Sequence, residues 1–304
     1  MKLRLVQVQT TPYCNASCVF CPHKHSVVGS MKGFMDEELY ESILEKISNY
    51  DENFKGRFCP YLMNEPLADK RLEDLVEISY KYLPNMELEV STNGELLTKK
   101  RSEKLIDIIT TYNKNPRTKI KISLHGINKE MTKYLMDIDA ERVLQNIRDL
   151  LEYNNNRVRV VIFGLGYSRD DNIRYFNARQ YRRFLNNKLG DLAKNIEIGY
   201  GSFHTRAGNV TIENWKFRPK VREIDKYHPF DCSRLHGMLH ILYNGIVIPC
   251  CMDWNVEYPI ANIKNYTVEE IFNLKKYKKF RDMATGKLDS PDDFICKRCD
   301  SPGG

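Results

Sequence analysis

The chain has 304 residues and is 42% hydrophobic, 29% charged and 11% aromatic, which excludes a disordered tail and fits roughly two domains or one barrel-sized domain with an appendage. Its formal net charge of +7 is a moderate bias toward anionic partners, and no apolar run approaches the roughly 18 residues of a membrane span. Met1 to Gln9 lacks the apolar block and cleavage site of a signal peptide, so a reducing cytoplasm is expected.

From the N-terminus, β-rich runs alternate with amphipathic stretches. The predicted strands are Leu3 to Gln9, Arg57 to Met63, Met86 to Thr92, Thr118 to Leu124, Arg157 to Leu165 and Ile196 to Tyr200. Between them the 3.6-residue period predicts helices over Asp36 to Asn49, Arg71 to Tyr82, Thr98 to Tyr112, Asn128 to Tyr153 with a break near Asp137 to Asp139, and Asp171 to Leu189. This βα alternation predicts an α/β fold, a partial TIM-like (β/α)6 barrel with a parallel sheet and helices outside it. Gly201 to Pro229 reads as an irregular connection. Then Met238 to Tyr243, Asn244-Gly245 and Ile246 to Ile248 read as a hairpin closed by a tight primed turn. A helix over Val268 to Met283 follows, with Thr267 as N-cap and Glu270 completing a capping box. The expected division is a core over 1–201, a connection over 202–230 and a cysteine-bearing extension over 231–304.

The cysteines carry the chemistry. Eight of the nine fall in two groups, Cys14, Cys18 and Cys21 near the start and Cys232, Cys250, Cys251, Cys296 and Cys299 near the end, with Cys59 alone. Sulfurs at such spacings point to ligation rather than to disulfides. Cys14-x3-Cys18-x2-Cys21, just after the first strand, can hold three irons of a 4Fe-4S cube and leave the fourth open; a zinc knuckle completed by His23 or His25 is the alternative.

This loop, with Phe20 immediately before its third cysteine, resembles the hallmark of the radical S-adenosylmethionine (SAM) enzymes. The resemblance spans the first two thirds of the chain. Leu62-Met63-Asn64-Glu65-Pro66 resembles the family's Gly-Gly-Glu-Pro segment, which holds the SAM amino group, although both glycines are replaced. Ser91-Thr92-Asn93-Gly94 and Ser123-Leu124-His125-Gly126 resemble segments lining the SAM ribose and carboxylate. The resemblance therefore implies Phe20, Asn64, Glu65, Ser91, Asn93 and Ser123 around SAM, at strand C-terminal ends where barrel enzymes place their sites. It also implies reductive cleavage of SAM to a 5′-deoxyadenosyl radical, hydrogen abstraction from substrate, and an external reductant such as flavodoxin or ferredoxin.

Cys232, Gly245 and Cys250 fit C-x9-15-G-x4-C, the entry signature of the family's SPASM and twitch extensions, with the glycine in the hairpin turn. Cys296-x2-Cys299 supplies two more thiolates. The resemblance thus implies a twitch domain, hairpin plus helix, holding one auxiliary 4Fe-4S cluster in addition to the SAM-binding one; a four-cysteine zinc site is the alternative. Cys251 is read as an alternative ligand, a buried thiol or a hydrogen-atom donor.

Other readings stay open. Arg206 is placed to contact SAM or substrate. His125 and Tyr61 sit at strand ends, either to hold or deprotonate a substrate hydroxyl or to pack. The arginines between Arg157 and Arg183 form a solvated face or an anion clamp. Trp215 and Trp254 cover substrate or pack. Twitch-bearing dehydrogenases of the family have a similar arrangement of auxiliary cysteines, so the expected reaction is oxidation of a small hydroxylated, sugar or cyclitol-like substrate that can be anionic. Peptide epimerisation or crosslinking is the alternative; membrane and nucleic-acid partners are not expected.

Overall fold

A computed structural model describes residues 2–168, 174–210, 221–230 and 232–300. Parallel strands β1 (Leu5–Val8), β2 (Arg57–Cys59), β3 (Glu87–Thr92), β4 (Lys119–Ser123), β5 (Arg159–Ser168) and β6 (Glu197–Phe203) follow one another in space as they do in sequence. Alternate positions, Val6, Val8, Phe58, Leu88, Val90, Ile120, Ile122, Val160 and Ile162, are buried. β-Branched and aromatic side chains suit this pleated face, which packs under the helices.

The first helix, α1 (Val27–Ser30), is a single turn; α2 (Glu37–Tyr50), α3 (Leu72–Tyr82), α4 (Lys99–Tyr112), α5 (Lys129–Met136), α6 (Ala140–Asn154) and α7 (Ala178–Leu189) are the layer outside the sheet. The expected break between α5 and α6 is present. Asp137 turns left-handed at φ 57°, and Asp139 caps α6 by accepting from the Glu141 and Arg142 amides. The helix expected from Asp171 begins instead at Ala178, where Asn177 and Gln180 form a capping box; residues 171–173 lie outside the described part.

β7 (Met238–Ile241), β8 (Ile246–Ile248) and β9 (Ala261–Asn262) complete a nine-stranded sheet in the order β6-β5-β4-β3-β2-β1-β7-β8-β9. β7 pairs in parallel with β1, from Leu5 opposite Met238 to Val8 opposite Ile241, so the C-terminal hairpin continues the barrel sheet. Two local expectations change. In the turn only Gly245 has positive φ, at 87°, with the Gly245 amide donating to the Leu242 carbonyl and the Leu242 amide to that of Ile246. That is a three-residue loop rather than a two-residue primed turn. The helix over Val268 to Met283 is two, α8 (Val268–Asn273) and α9 (Lys275–Ala284), because Leu274 leaves helical geometry with ψ 138°. The apolar stripe Val268, Ile271, Phe272 would continue into Lys275 and Lys276; the break re-phases it onto Tyr277, Phe280 and Ala284. The Thr267 and Glu270 capping box is present as expected.

Candidate active site

The segment after β1 carries Cys14, Cys18 and Cys21 on irregular backbone pinned to the barrel rim. The Ser17 and Val19 amides donate to the Met136 and Leu135 carbonyls at the end of α5, and the Glu65 amide donates to the Tyr13 carbonyl. Burial pushes the Cys14 thiol up to about 12, with Glu65 and Cys21 adding to it. Cys18 and Cys21 are also raised by burial, and the positive charge of Arg206 opposes that at both. Sulfurs so buried carry charge only against a metal, and metal binding then drives their protons off. His23 Nε2 lies 2.7 Å from the Pro12 carbonyl oxygen.

Beside this loop, Glu65 is 3% exposed and accepts from Thr92 Oγ1 at 2.6 Å, the Asn93 amide at 2.7 Å and the Leu67 amide at 3.0 Å. Burial raises its pKa against those hydrogen bonds. Asn64 Oδ1 accepts from the Leu62 amide, whereas its Nδ2 is buried without a partner. Asn93 donates to Asn15 Oδ1 at 2.9 Å. Ser91 and Ser123 end β3 and β4 on the face that looks into the barrel, since each alternates with buried helix-facing neighbours. The structure thus brings Glu65, Asn64 and Asn93 to the cysteine loop, with an orphaned amide donor that a polar ligand such as SAM would satisfy.

Deeper in the barrel the interior face is charged. Glu87 and Glu89 on β3 meet Lys119 at 2.9 and 3.0 Å and Arg57 at 2.9 and 3.5 Å. Burial alone would raise both carboxyls; hydrogen bonds from Lys119 and Arg57 at Glu87, and from Tyr61 at Glu89, hold them below the usual range. Tyr61 donates to Glu89 Oε1 at 2.5 Å, and its own pKa is pushed up by burial and the neighbouring Cys59 and Glu89. It is a locked donor, not a poised base. His125 is 5% exposed and its Nδ1 accepts from the Leu165 amide at 3.0 Å, which leaves the proton on Nε2. Burial, Arg206 and Lys121 push it down to about 3. So His125 can offer an N–H to a ligand but no basic lone pair at Nδ1. Its ring meets the Phe20 edge at 5.0 Å, and Phe20 stacks on Phe203 at 4.9 Å. Arg206 sits on a turn with φ 54°, tied down by the Thr205 amide on Asp300 at 2.5 Å and by Asn209 on the Met252 carbonyl at 2.9 Å.

The second cysteine set converges at the outer side of β7. Cys232, Cys250, Cys296 and Cys299 line one cavity with Arg234 and the apolar side chains of Phe230, Leu235, Met252 and Ile295. Burial raises Cys296, with Cys299 and Cys232 adding; Arg234 is raised in turn by the negative potential of Cys251, Cys250, Cys232 and Cys299. Four cysteines around a shared space fit a multinuclear iron–sulfur centre. Cys251 stands apart from that lining: its hydrogen bond with Cys250 pulls it down, and His240, Arg234 and Arg206 add to this. His240, on β7, is 1% exposed with both ring nitrogens unpartnered.

Other expectations resolve simply. Arg174, Arg179, Arg182 and Arg183 are exposed, Arg159 pairs with Glu197 and Arg157 with Asp107, so the described arginines form a solvated face; Arg169 lies outside the described residues. Trp254 packs with Val28, Met63, Leu242 and Ile248, whereas Trp215 lies outside the described residues. The charged barrel interior and His240 were missed. The signal for the interior is the in-phase alternation of Glu87-Leu88-Glu89-Val90-Ser91 and Lys119-Ile120-Lys121-Ile122-Ser123, since strands buried on two apolar faces would read as continuous hydrophobic runs.

Comparison with known proteins agrees with this geometry. The family model of the radical SAM superfamily matches residues 8–176, and that of an iron-sulfur cluster-binding domain, SPASM, matches residues 232–300. A curated relative, the S-adenosyl-L-methionine-dependent 2-deoxy-scyllo-inosamine dehydrogenase of Niallia circulans, is 33% identical over 95 residues, 31% of this chain and 37% of that protein. Solved structures of similar fold include BtrN in complex with AdoMet and 2-DOIA, with TM-score 0.63 and 19% identity over 99% of this chain and 95% of that one. Streptococcus suis SuiB bound to precursor peptide SuiA has TM-score 0.60 and 14% identity, covering 98% and 71%. Native anSMEcpe with bound AdoMet has 0.57 and 17%, covering 99% and 92%. With the three-cysteine loop at the mouth of a partial barrel and the matched stretch covering more than half of the sequence, the chain belongs to the radical SAM superfamily, as a SPASM/twitch-type member.

Proposed function

We propose that this radical SAM enzyme oxidises a small hydroxylated, sugar or cyclitol-like molecule held in the barrel. In this reading Cys14, Cys18 and Cys21 hold the SAM-binding cluster, and Cys232, Cys250, Cys296 and Cys299 hold a second, fully ligated one. Such centres supply reductive cleavage of SAM at one end and an acceptor for the substrate electron at the other. The chain's own residues do the rest. Asn64, Glu65 and Asn93 orient SAM, Phe20 and Phe203 close the mouth to water, and His125 Nε2–H holds a substrate oxygen.

The observation carrying the reading is the second cysteine set: Cys232, Cys250, Cys296 and Cys299 line one cavity, enough thiolates to ligate a cluster with no open site. A fully ligated electron acceptor suits oxidation. The relative named as a dehydrogenase lends support, while the fold is shared with a structure bound to a precursor peptide.

The test is an anaerobically reconstituted enzyme screened against polyols, hydroxylated acids and sugar or cyclitol phosphates for substrate-dependent acceleration of 5′-deoxyadenosine formation. With the responding substrate, the Cys296→Ala, Cys299→Ala double variant should still cleave SAM but lose product far more than 5′-deoxyadenosine. Equal loss of both would leave the C-terminal centre a structural role only.

A further inference from the structure

Among the described residues, Lys121 is a cation of the barrel interior with no ion pair of its own. Lys121 lies on the same face of β4 as Lys119 and Ser123. Lys119 is engaged by Glu87 and Glu89, and those carboxylates are further occupied by Arg57 and Tyr61. Among the described residues Lys121 Nζ forms no ion pair and no hydrogen bond. It rests instead on the face of Phe163, 4.3 Å from the ring centroid. That ring is fixed from behind: a Cβ at Gly199 or Gly201 of β6 would stand 2.4 or 2.8 Å from it.

This arrangement has a chemical meaning. A partly buried ammonium with no carboxylate in contact is costly, and a cation–π contact repays only part of that while satisfying none of its N–H donors. Burial lowers the Lys121 pKa; the charge of Glu89 opposes this, but that carboxylate is already bonded to Lys119 and Tyr61. Arg206 differs, because its charge bears on Cys18 and Cys21 and will be met by the cluster they hold. The charge of Lys121 is felt at His125, on the barrel side, where Arg206 also contributes to a positive potential.

We propose that Lys121 anchors an anionic oxo group, carboxylate or phosphate, on the molecule oxidised in the barrel. This rests on the reading of the barrel as the substrate chamber. The three donors of the ammonium would replace lost water by charge-assisted hydrogen bonds, and Phe163 holds the nitrogen in place before the anion arrives. The specificity is for hydroxylated acids or phosphate esters over neutral polyols.

The probes are inorganic phosphate and acetate, titrated calorimetrically into SAM-loaded, reconstituted enzyme. Wild type should bind at least one; Lys121→Met should weaken it about tenfold or more, and Lys121→Arg should keep most of it. Iron content and circular dichroism matching wild type would show that Lys121→Met is folded, and the Lys121→Arg comparison stands if it is not. The proposal is overturned if wild type binds neither probe, if Lys121→Met binds as wild type does and the anions sit adventitiously on the basic surface, or if the bound anion competes with SAM, whose own carboxylate would then be the partner. These outcomes are separate from those for oxidation: loss of product in the Cys296, Cys299 variant tests the chemistry whether or not Lys121 binds the probe.

Discussion

His125 illustrates how a residue type can suggest a role that its surroundings refuse. A histidine at a strand end invites the role of base, yet Nδ1 is spent on the Leu165 amide, and burial holds the folded pKa near 3 against an ordinary value of 6.5. Because the unfolded chain takes up the proton first, stability is complete above about pH 6.5 and is lost as pH falls toward 3, at about 1.4 kcal/mol per unit. His125→Asn keeps an acceptor for the Leu165 amide and removes the titration. Urea midpoints measured from pH 7.5 to 5.5 should therefore fall less steeply for the variant than for wild type. At Cys251 the question is hydrogen return. Oxidation ends at a carbonyl and needs no thiol donor, so Cys251→Ala should keep a substantial part of turnover, and product formed in heavy water should carry no carbon-bound deuterium. Deuterium at one stereocentre, with turnover collapsing in the variant while 5′-deoxyadenosine persists, would falsify the oxidation reading in favour of epimerisation.

At the scale of elements, the junction between β1 and β7 governs where the second cysteine set hangs. Arg4 donates to the Ser233 and His236 carbonyls, and the Gly237 carbonyl accepts from the Arg4 and Leu5 amides. Gly237 has φ 77°, and a Cβ there would fall 2.1 Å from the Lys2 carbonyl oxygen. Gly237→Ala should thus loosen β7 from β1, costing about 1–3 kcal/mol, and release iron from the C-terminal centre before the SAM-binding one, read by iron assay during mild chelation. The strands and most helices were legible because apolar periodicity is local, and so was the hairpin, from Asn244-Gly245. The pairing of β7 with β1 was not, since nothing in either segment names a partner more than 200 residues away. Among site residues, the cysteines declare themselves by spacing. Lys121 shows in the sequence only as part of an alternation; its contact with Phe163 and the burial of His240 become visible only when strands from distant parts of the chain come together.

For the whole molecule, the proposal that each cysteine set holds a cubic centre predicts about eight irons per chain after anaerobic reconstitution. Replacing Cys14, Cys18 and Cys21 together by Ala should leave about half of that and abolish SAM cleavage. Stoichiometric zinc at the C-terminal cysteines, in protein never exposed to oxygen or chelator, would remove the acceptor from the proposal, since zinc takes up no electron.

Because β7 is hydrogen-bonded along β1, the extension also serves as a cover for the barrel. The sheet now ends on that side at β9, a strand of two residues that offers little to an approaching chain. Cutting the chain before Cys232 would strip β7 to β9 away and leave the Leu5–Val8 backbone bare, an unprotected edge able to pair with a second copy. The N-terminal part, though it carries the whole three-cysteine loop, should then be sticky in isolation: size-exclusion chromatography of a 1–230 fragment should show aggregates where the full chain does not.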